Sequence, residues 1–395
     1  MSARFIQIHT LTSYPASLLN RDDAGFAKRM PFGGAVRTRV SSQCLKRHWR
    51  VYDGEHSLAE LKQPESVRSR VSFERFLVEP LMKEGVSEEL ARAAGRKLVG
   101  LCLGSEQKKE KAEKKGGKKK EEGAADAAEP VKTAQVTVIG RPELDYLLSL
   151  AREAISAAGK SADKVEDEIE KRMKDKKLKE NLKALMPGSL EAGLGAALFG
   201  RMVTGDVLAR TDAAIHVAHA ATVHAQLAES DYFSAIDDLI RDEGEAESGH
   251  INASELTSGL FYGYVVVDVN GLNENLGGDR SLAADVISKL VHMVATVSPG
   301  AKKGSTAPYA YSHFVMAESG KAQPRTLQNA FLEPVRTSGD LVENTYRALK
   351  SHLDDLDGMY GKTDRQYAGL RAATHFGPGK TLAELADWAK SKVIE

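Results

Sequence analysis

The stretch FYGYVVVDVN, residues 261–270, carries the strongest strand signal in this 395-residue chain. Its β-branched and aromatic residues suit a pleated, well-packed surface. A second signal opens the sequence. If residues 5–11 are extended, Phe5, Gln7, His9 and Leu11 share one face and Ile6, Ile8 and Thr10 the other, as in a buried strand. Ser13, Tyr14 and Pro15 are expected to end it. Pro31, Phe32, Gly33 and Gly34 read as a turn, because glycine tolerates positive φ. Residues 36–40 alternate around Arg37 and Arg39 as a short strand, and 314–317 is another. Strands at both ends of a long helical stretch indicate an α+β chain with insertions.

The helical periods lie mostly between those strands. Residues 61–104 read as largely helical, with Leu90, Ala94, Leu98 and Leu101 on one apolar face. Further helices are expected over 142–158, 161–185, 189–200, 281–297, 339–356 and 381–393, with a strand over 131–139. The run AAIHVAHAATVHA at 213–225 fits a strand or a helix. Residues 105–130, SEQKKEKAEKKGGKKKEEGAADAAEP, are low in complexity; apart from Pro130 they have no apolar side chain larger than alanine. Such a composition cannot offset the entropy of ordering, so a flexible loop is expected.

Charge is unevenly spread. Formal net charge is zero, with 55 basic and 55 acidic residues. Yet residues 1–50 hold Arg4, Arg21, Lys28, Arg29, Arg37, Arg39, Lys46, Arg47 and Arg50 against Asp22 and Asp23 alone. A local positive field attracts polyanions. Ser41 or Ser42 is placed to cap a helix running to about Tyr52. On it Gln43, Lys46, Arg47 and Arg50 follow i, i+3, i+4, i+7, one polar stripe, while Cys44, Leu45, His48, Trp49 and Tyr52 supply the other face. Cations beside a helix N-terminus suit phosphates by charge and dipole.

Other classes are poorly supported. No apolar run approaches the ~20 residues of a membrane helix. The first residues lack the apolar core of a secretory signal, and two cysteines, Cys44 and Cys102, form neither a disulfide framework nor a zinc pattern. A reducing cytoplasm is the expected setting. His216, His219 and His224 lack a partnering Cys pair or an HExxH motif, so no metal is expected there. Gly193 and Gly195 follow no clear strand, and the dinucleotide pattern lacks its third small residue; close helix packing fits better, and no cofactor is implied.

Several motifs fall in one order: LNRDD at 19–23, FGG at 32–34, RVSSQCLKR at 39–47, FGRM at 199–202, HVAHAATVH at 216–224, DYFSAIDDL at 231–239, SGLFYGY at 258–264, NENLGG at 273–278 and PGAKK at 299–303. Together they resemble the CasC family, the RNA-binding backbone subunit of type I-E CRISPR Cascade, from residue 4 to about 390. The resemblance implies an α+β fold shaped like a right hand: an RNA-recognition-motif-like (ferredoxin-like) palm, a helical fingers insertion and a β-hairpin thumb. The expected division is palm over 1–60, fingers over 61–210 including the 105–130 loop, a palm strand over 211–225, thumb over 226–260 and palm again over 261–395.

The resemblance further implies a non-catalytic protein. Copies would polymerise along crRNA and present it to a target DNA strand, beside CasA, CasB, CasD and CasE, with no membrane partner. Base pairing would read sequence while protein holds backbone. Carried over by motif, Arg21 and Lys28 would contact RNA after the first strand; Ser41, Gln43, Lys46 and Arg50 from the first helix, with Arg47 on the same stripe; Arg201 and Met202 in FGRM; and Lys302 and Lys303 in PGAKK. Phe233, His250 and Ile251 match thumb positions that wedge beside a displaced base. Six of them have a plainer reading: Lys46 and Arg50 as a solvated helix face, Arg47 as an ion pair with a neighbouring copy, Arg21 as an ion pair with Asp22 or Asp23, Met202 as core, and Phe233 as interface core on a helical stripe with Ile236, Leu239 and Ile240. The acids Asp231, Asp237, Asp238, Asp242, Glu243, Glu245 and Glu247 are expected to meet a basic face of the next copy. The rival activity is a metal-dependent endoribonuclease using Asp22 or Asp23, for which no neighbouring acid–base set is evident.

Overall fold

The computed structural model describes residues 3–104, 129–174, 178–202, 207–236 and 248–394. The 105–130 loop expectation and the acidic positions from Asp237 to Glu247 therefore fall almost wholly or wholly outside the described residues. The chain divides into two compact units. One comprises residues 1–61, 216–269 and 281–395; the other comprises 62–215 and 270–280.

The strands are β1 (Phe5–Ser17), β2 (Arg29–Phe32), β3 (Ala35–Val40), β4 (Ser66–Ser69), β5 (Thr137–Gly140), β6 (Ile215–Val217), β7 (Ala220–Thr222), β8 (Leu227–Ile236), β9 (Ser248–Asp268), β10 (Ser312–Gly320) and β11 (Asp364–Gly369). The first helix, α1, spans Ser42–Val51. The main sheet runs β11-β10-β1-β9-β7-β3-β2, with β6 and β8 pairing with β9 beside this row. Its middle, β10-β1-β9-β7, carries the ferredoxin-like order: the first strand lies between the last and the third, the second lies outside the third, and each adjacent pair is antiparallel. Helix α1 follows the first of these strands and the helix Arg280–Thr296 follows the third. The expected α+β palm is thus present in its topology.

β1 outruns its expected end at Pro15. A register shift between Tyr14 and Ser17 absorbs the proline, and pairing with β9 resumes at Ser17–Thr257. Such a bulge lets a residue without an N–H sit in a strand. The glycine turn is realised as the β2–β3 hairpin. Gly33 has φ +60, and a Cβ there would sit 1.5 Å from the Leu332 carbonyl oxygen, so this approach requires glycine.

Both faces of the sheet are covered. On one, Leu45 and Trp49 of α1, Val294 and Val297 surround a small cavity with Thr10, Phe261 and Val265. On the other, Tyr346, Leu349 and Leu353 of the helix Leu341–Tyr360 pack with Leu11, Tyr262, Phe314 and Phe331. The face on which an isolated RNA-recognition sheet would stack bases is therefore closed by this helix.

A buried polar cluster lies across β1 and β10. Glu318 is fully buried and takes Arg325 (3.0 Å), Arg365 (3.1 Å) and the His9 Nε2 (3.3 Å). Tyr262 Oη meets His9 Nδ1 at 2.8 Å and also accepts from the Leu327 N–H at 2.9 Å. Burial pushes the Glu318 carboxyl up, but His9, Thr363 and Arg325 outweigh it and hold it at about 2. A carboxylate held low contributes stability that is complete above its unfolded pKa and is lost as pH falls through about 2. Urea midpoints of the wild type should fall as pH drops from about 5 toward 2. Glu318→Gln should be less stable at neutral pH and flatter over that window; an equally steep profile would assign the acid sensitivity elsewhere.

The second unit holds its own core. Leu90, Ala94 and Leu98 of the helix Glu88–Leu103 pack with Leu144, Leu147 and Ala151 of the helix Arg141–Ala158 and with Val165 and Ile169. Residues 61–104 are less helical than expected: Ser66–Ser69 is β4, paired with β5. The 213–225 run resolves as the strands β6 and β7.

Candidate nucleic-acid interface

The basic segment is assembled by a few polar ties. Ser41 is the N-cap of α1: its Oγ accepts from the Cys44 N–H at 3.3 Å, and its own N–H donates to Asn20 Oδ1 at 2.9 Å. Asn20 also accepts the Lys28 N–H through its carbonyl. One asparagine thus joins the LNRDD loop to the helix start. Within the loop, Asp22 Oδ1 accepts from the Ala24 and Phe26 N–H groups, both at 3.0 Å. The Asp22 carboxylate is a turn former.

Two further segments meet this frame. The Ala301 N–H donates to the Leu18 carbonyl at 2.9 Å, and Gly300 and Lys303 lie near enough to His48 of α1 to act on its titration, so the PGAKK loop lies against the first helix. Lys302 Nζ reaches Ser254 Oγ on β9 at 3.0 Å. Glu255, beside it, accepts from the Ala27 N–H at 2.8 Å and pairs with Arg29, clasping the LNRDD loop to the base of the β8–β9 hairpin. Glu255 was not among the expected site residues. β8 pairs with β9 from Leu227–Ser258 outward to Ile236–Ser248, whereas β1 pairs with β9 only from Thr257 onward. The hairpin therefore extends past the sheet as a two-stranded ribbon.

The expected residues divide clearly. Arg21, Gln43, Arg47 and Lys303 are exposed, and Lys28, Lys46, Arg50 and Lys302 are half-buried, all in the first unit. Among the described residues Arg21 forms no ion pair with Asp22 or Asp23. Lys28 lines an open cleft with Phe26, Arg29, Arg39, Asp22 and Asp23. Ser41 is buried and its oxygen is engaged as a cap, so it shapes the helix start. Arg39 stands 3.2 Å from His219 Nδ1. Burial lowers the His219 pKa, and Arg39 and Lys28 lower it further. Burial likewise lowers that of His48, with Lys303 and Arg47 adding to it. Cations from α1 and from the PGAKK loop thus act on one imidazole.

Two arginines are spent internally. Arg37, one of the nine early cations, is fully buried and donates to the carbonyls of Phe32, Thr222 and Phe331 at 2.8–3.2 Å. Arg201 corrects an expectation: it belongs to the second unit, its side chain is inaccessible, and it pairs with Glu143 at 2.5 and 3.0 Å. It offers no guanidinium to a ligand. Met202, its neighbour, is 91% exposed, which rules out the core reading.

Phe233 lies in β8, opposite Asn252; His250 and Ile251 lie in β9, opposite Ala235 and Ser234. As far as Ile236 the segment expected to carry a helical stripe is therefore a strand, because pairing with β9 overrides the local period; Leu239 and Ile240 of that stripe lie outside the described residues. The side chains of Phe233, His250 and Ile251 lie outside the described residues. Of the three histidines, His224 is buried; its Nδ1 meets the Ala225 carbonyl at 2.7 Å and its Nε2 accepts from the Leu260 N–H at 3.1 Å. It is a core link. Gly193 packs on the backbone of Glu65 and Ser66, which is a packing contact.

A ferredoxin-like sheet with both faces closed, a ribbon running past it, and cations gathered at loops and one helix define an α+β protein with a basic, edge-on surface. The family model described as CT1975-like protein matches residues 6–389. The chain belongs to that family, the CasC-type backbone proteins that its motifs resemble. Comparison with curated proteins returns no match. Among solved structures, the chain is similar to a component of a CRISPR RNA-guided surveillance complex described as pre-nicking, with 26% identity, TM-score 0.77 and 99% of each chain covered. A component of another CRISPR RNA-guided surveillance complex shares the fold at 22% identity and TM-score 0.67, over 98% of this chain and 99% of that one.

Proposed function

We propose that this chain is the non-catalytic crRNA-binding backbone subunit of a type I-E CRISPR Cascade effector. Copies polymerise along the guide RNA in the cytoplasm and present it for pairing with a target DNA strand. The observation that carries this reading is the convergence of α1, the LNRDD loop, the PGAKK loop and the hairpin base on one basic surface. Arg21, Lys28, Gln43, Lys46, Arg47, Arg50, Lys302 and Lys303 hold the backbone. Backbone contacts by cations and amides position RNA without demanding a sequence. Phe233, His250 and Ile251 are the positions assigned to wedging beside a displaced base, Met202 is the RNA-contacting position of the FGRM segment, and Arg201 acts only by holding that segment. Head-to-tail copies, CasA, CasB, CasD and CasE complete the assembly.

The turn-forming bonds of Asp22 weigh against the endoribonuclease reading, because one carboxylate oxygen is already engaged by two backbone amides. A cleavage assay with divalent metal, comparing wild type with Asp22→Ala and Asp23→Ala, separates the two readings. Cuts that vanish on either substitution would favour the nuclease.

Binding of the purified chain to single-stranded RNA should weaken steeply with salt. Each neutralised phosphate contributes about −0.7 to the slope of log K against log[salt]. Six contacts predict a slope near −4, and the nucleic acid that co-purifies should be a discrete repeat–spacer RNA. A flat salt response, or heterogeneous RNA, would remove the reading.

A further inference from the structure

The basic surface has an aromatic neighbour that the sequence did not single out. Tyr309 is 72% exposed and Tyr311 75% exposed, six and eight residues after Lys303. Between them, Ala310 points inward, packed against the cluster of Tyr14, Leu19, Val40 and Phe261 together with Cys44 and Leu45 of α1. Its backbone is held twice by Ser298: the Ala310 N–H donates to Ser298 Oγ at 2.9 Å, and that hydroxyl donates to the Ala310 carbonyl at 3.0 Å. In an extended segment, fixing one residue inward turns both its neighbours outward. The segment before it is equally set. Ala307 holds φ +40, a left-handed value that is costly for a side chain with a Cβ, and the Tyr309 N–H closes back on the Ala307 carbonyl at 2.7 Å around a buried Pro308.

We propose that Tyr309 and Tyr311 form a stacking surface for the bases of a single-stranded nucleic acid held along α1 and the PGAKK loop. Packing gives no reason for two large rings to stand in water on rigidly held backbone. Every base has a π-face, so stacking adds affinity without selecting sequence, and aromatic platforms beside a cationic groove are how such strands are held. The inference rests on the function proposed above and adds to it a base-contacting site separate from the hairpin.

The test uses the full chain and two labelled RNAs of one length, one normal and one abasic, so that the phosphates are the same and only the bases differ. Tyr309→Ala/Tyr311→Ala should bind the normal strand at least ~10-fold more weakly and the abasic strand almost as wild type, with an unchanged salt slope. Tyr309→Phe/Tyr311→Phe should bind like wild type. A thermal melt of each variant confirms the fold. Equal affinity for the normal strand, or equal weakening on both strands, overturns the stacking surface. Unchanged RNA binding with altered self-association would make the tyrosines a contact between copies and likewise overturn it. Failure of the function itself would already be visible in the wild type, as RNA binding that ignores salt.

Discussion

Glu143→Ala is expected to destabilise the second unit by about 3–5 kcal/mol, the usual cost of leaving one partner of a buried ion pair uncompensated. Glu143 and Arg201 are almost wholly inaccessible, and the carboxylate does two things at once. Its Oε2 accepts the Gly140 N–H at 2.9 Å, closing the start of the helix Arg141–Ala158, and both oxygens take the Arg201 guanidinium. Arg201 in turn donates from Nε (3.1 Å) and Nη2 (2.6 Å) to the Ala209 carbonyl. Removing Glu143 leaves a cation in a site built for neutrality and frees a helix terminus. The Tm should fall on the order of 10 °C, at roughly 2–4 °C per kcal/mol for a unit of this size. Glu143→Leu/Arg201→Met should recover much of the loss, since apolar pairs often replace buried ion pairs without cost. Arg201→Lys adds a functional readout. Well below its Tm, its RNA salt slope should equal that of the wild type. A slope smaller by about 0.7 would show Arg201 to be a direct phosphate contact and return it to the interface.

That arginine marks the limit of what sequence can disclose. Strands β1, β3, β9 and β10 were legible because alternation and β-branched runs are local properties. β4 (SVRS) and β11 (DRQYAG) were not: each is short and polar, and each has a single strand partner. Their pairing is decided by Thr137–Gly140 and by β10, far along the chain. The polar stripe of α1 was legible from its i, i+3, i+4, i+7 spacing, and the helix starts at the expected cap. Whether a given cation faces water was not. Arg37 looks like Arg39 in sequence, yet carbonyls at Phe32, Thr222 and Phe331 take it inside. Glu255 was invisible for the same reason, as its partners Ala27 and Arg29 lie more than two hundred residues earlier. Exposure of Tyr309 and Tyr311 depends on Ser298 holding Ala310, which no local pattern records.

Reversing Arg47 and Lys303 together, Arg47→Glu/Lys303→Glu, should weaken single-stranded RNA binding on the order of 100- to 1,000-fold. A hydrogen bond to a charged group is worth ~1.5–3 kcal/mol, and two that serve the same phosphates are lost for less than their full sum. These two positions are the sharpest choice. Both are exposed, and among the described residues neither is held in an ion pair. They come from segments about 250 residues apart in sequence, roughly the separation from α1 to the PGAKK loop, yet both act electrostatically on His48. If one strand of RNA lies across that junction, it meets both charges at once, and loss at either should be felt by the same phosphates. Stability should hardly change, since exposed surface substitutions stay within about 0.5 kcal/mol. The salt slope should shrink by about 1.4, two phosphates at about 0.7 each, and the effects of the single reversals should not be additive. Arg347→Glu serves as a control: it changes net charge by the same amount per site, but on the helix Leu341–Tyr360, which covers the other face of the sheet. If the control weakens binding as much as either single reversal, attraction is a matter of net charge and the interface on α1 and the PGAKK loop is misplaced. If only the α1 and loop reversals do so, the RNA path runs along the edge of a palm whose broad face is closed to it.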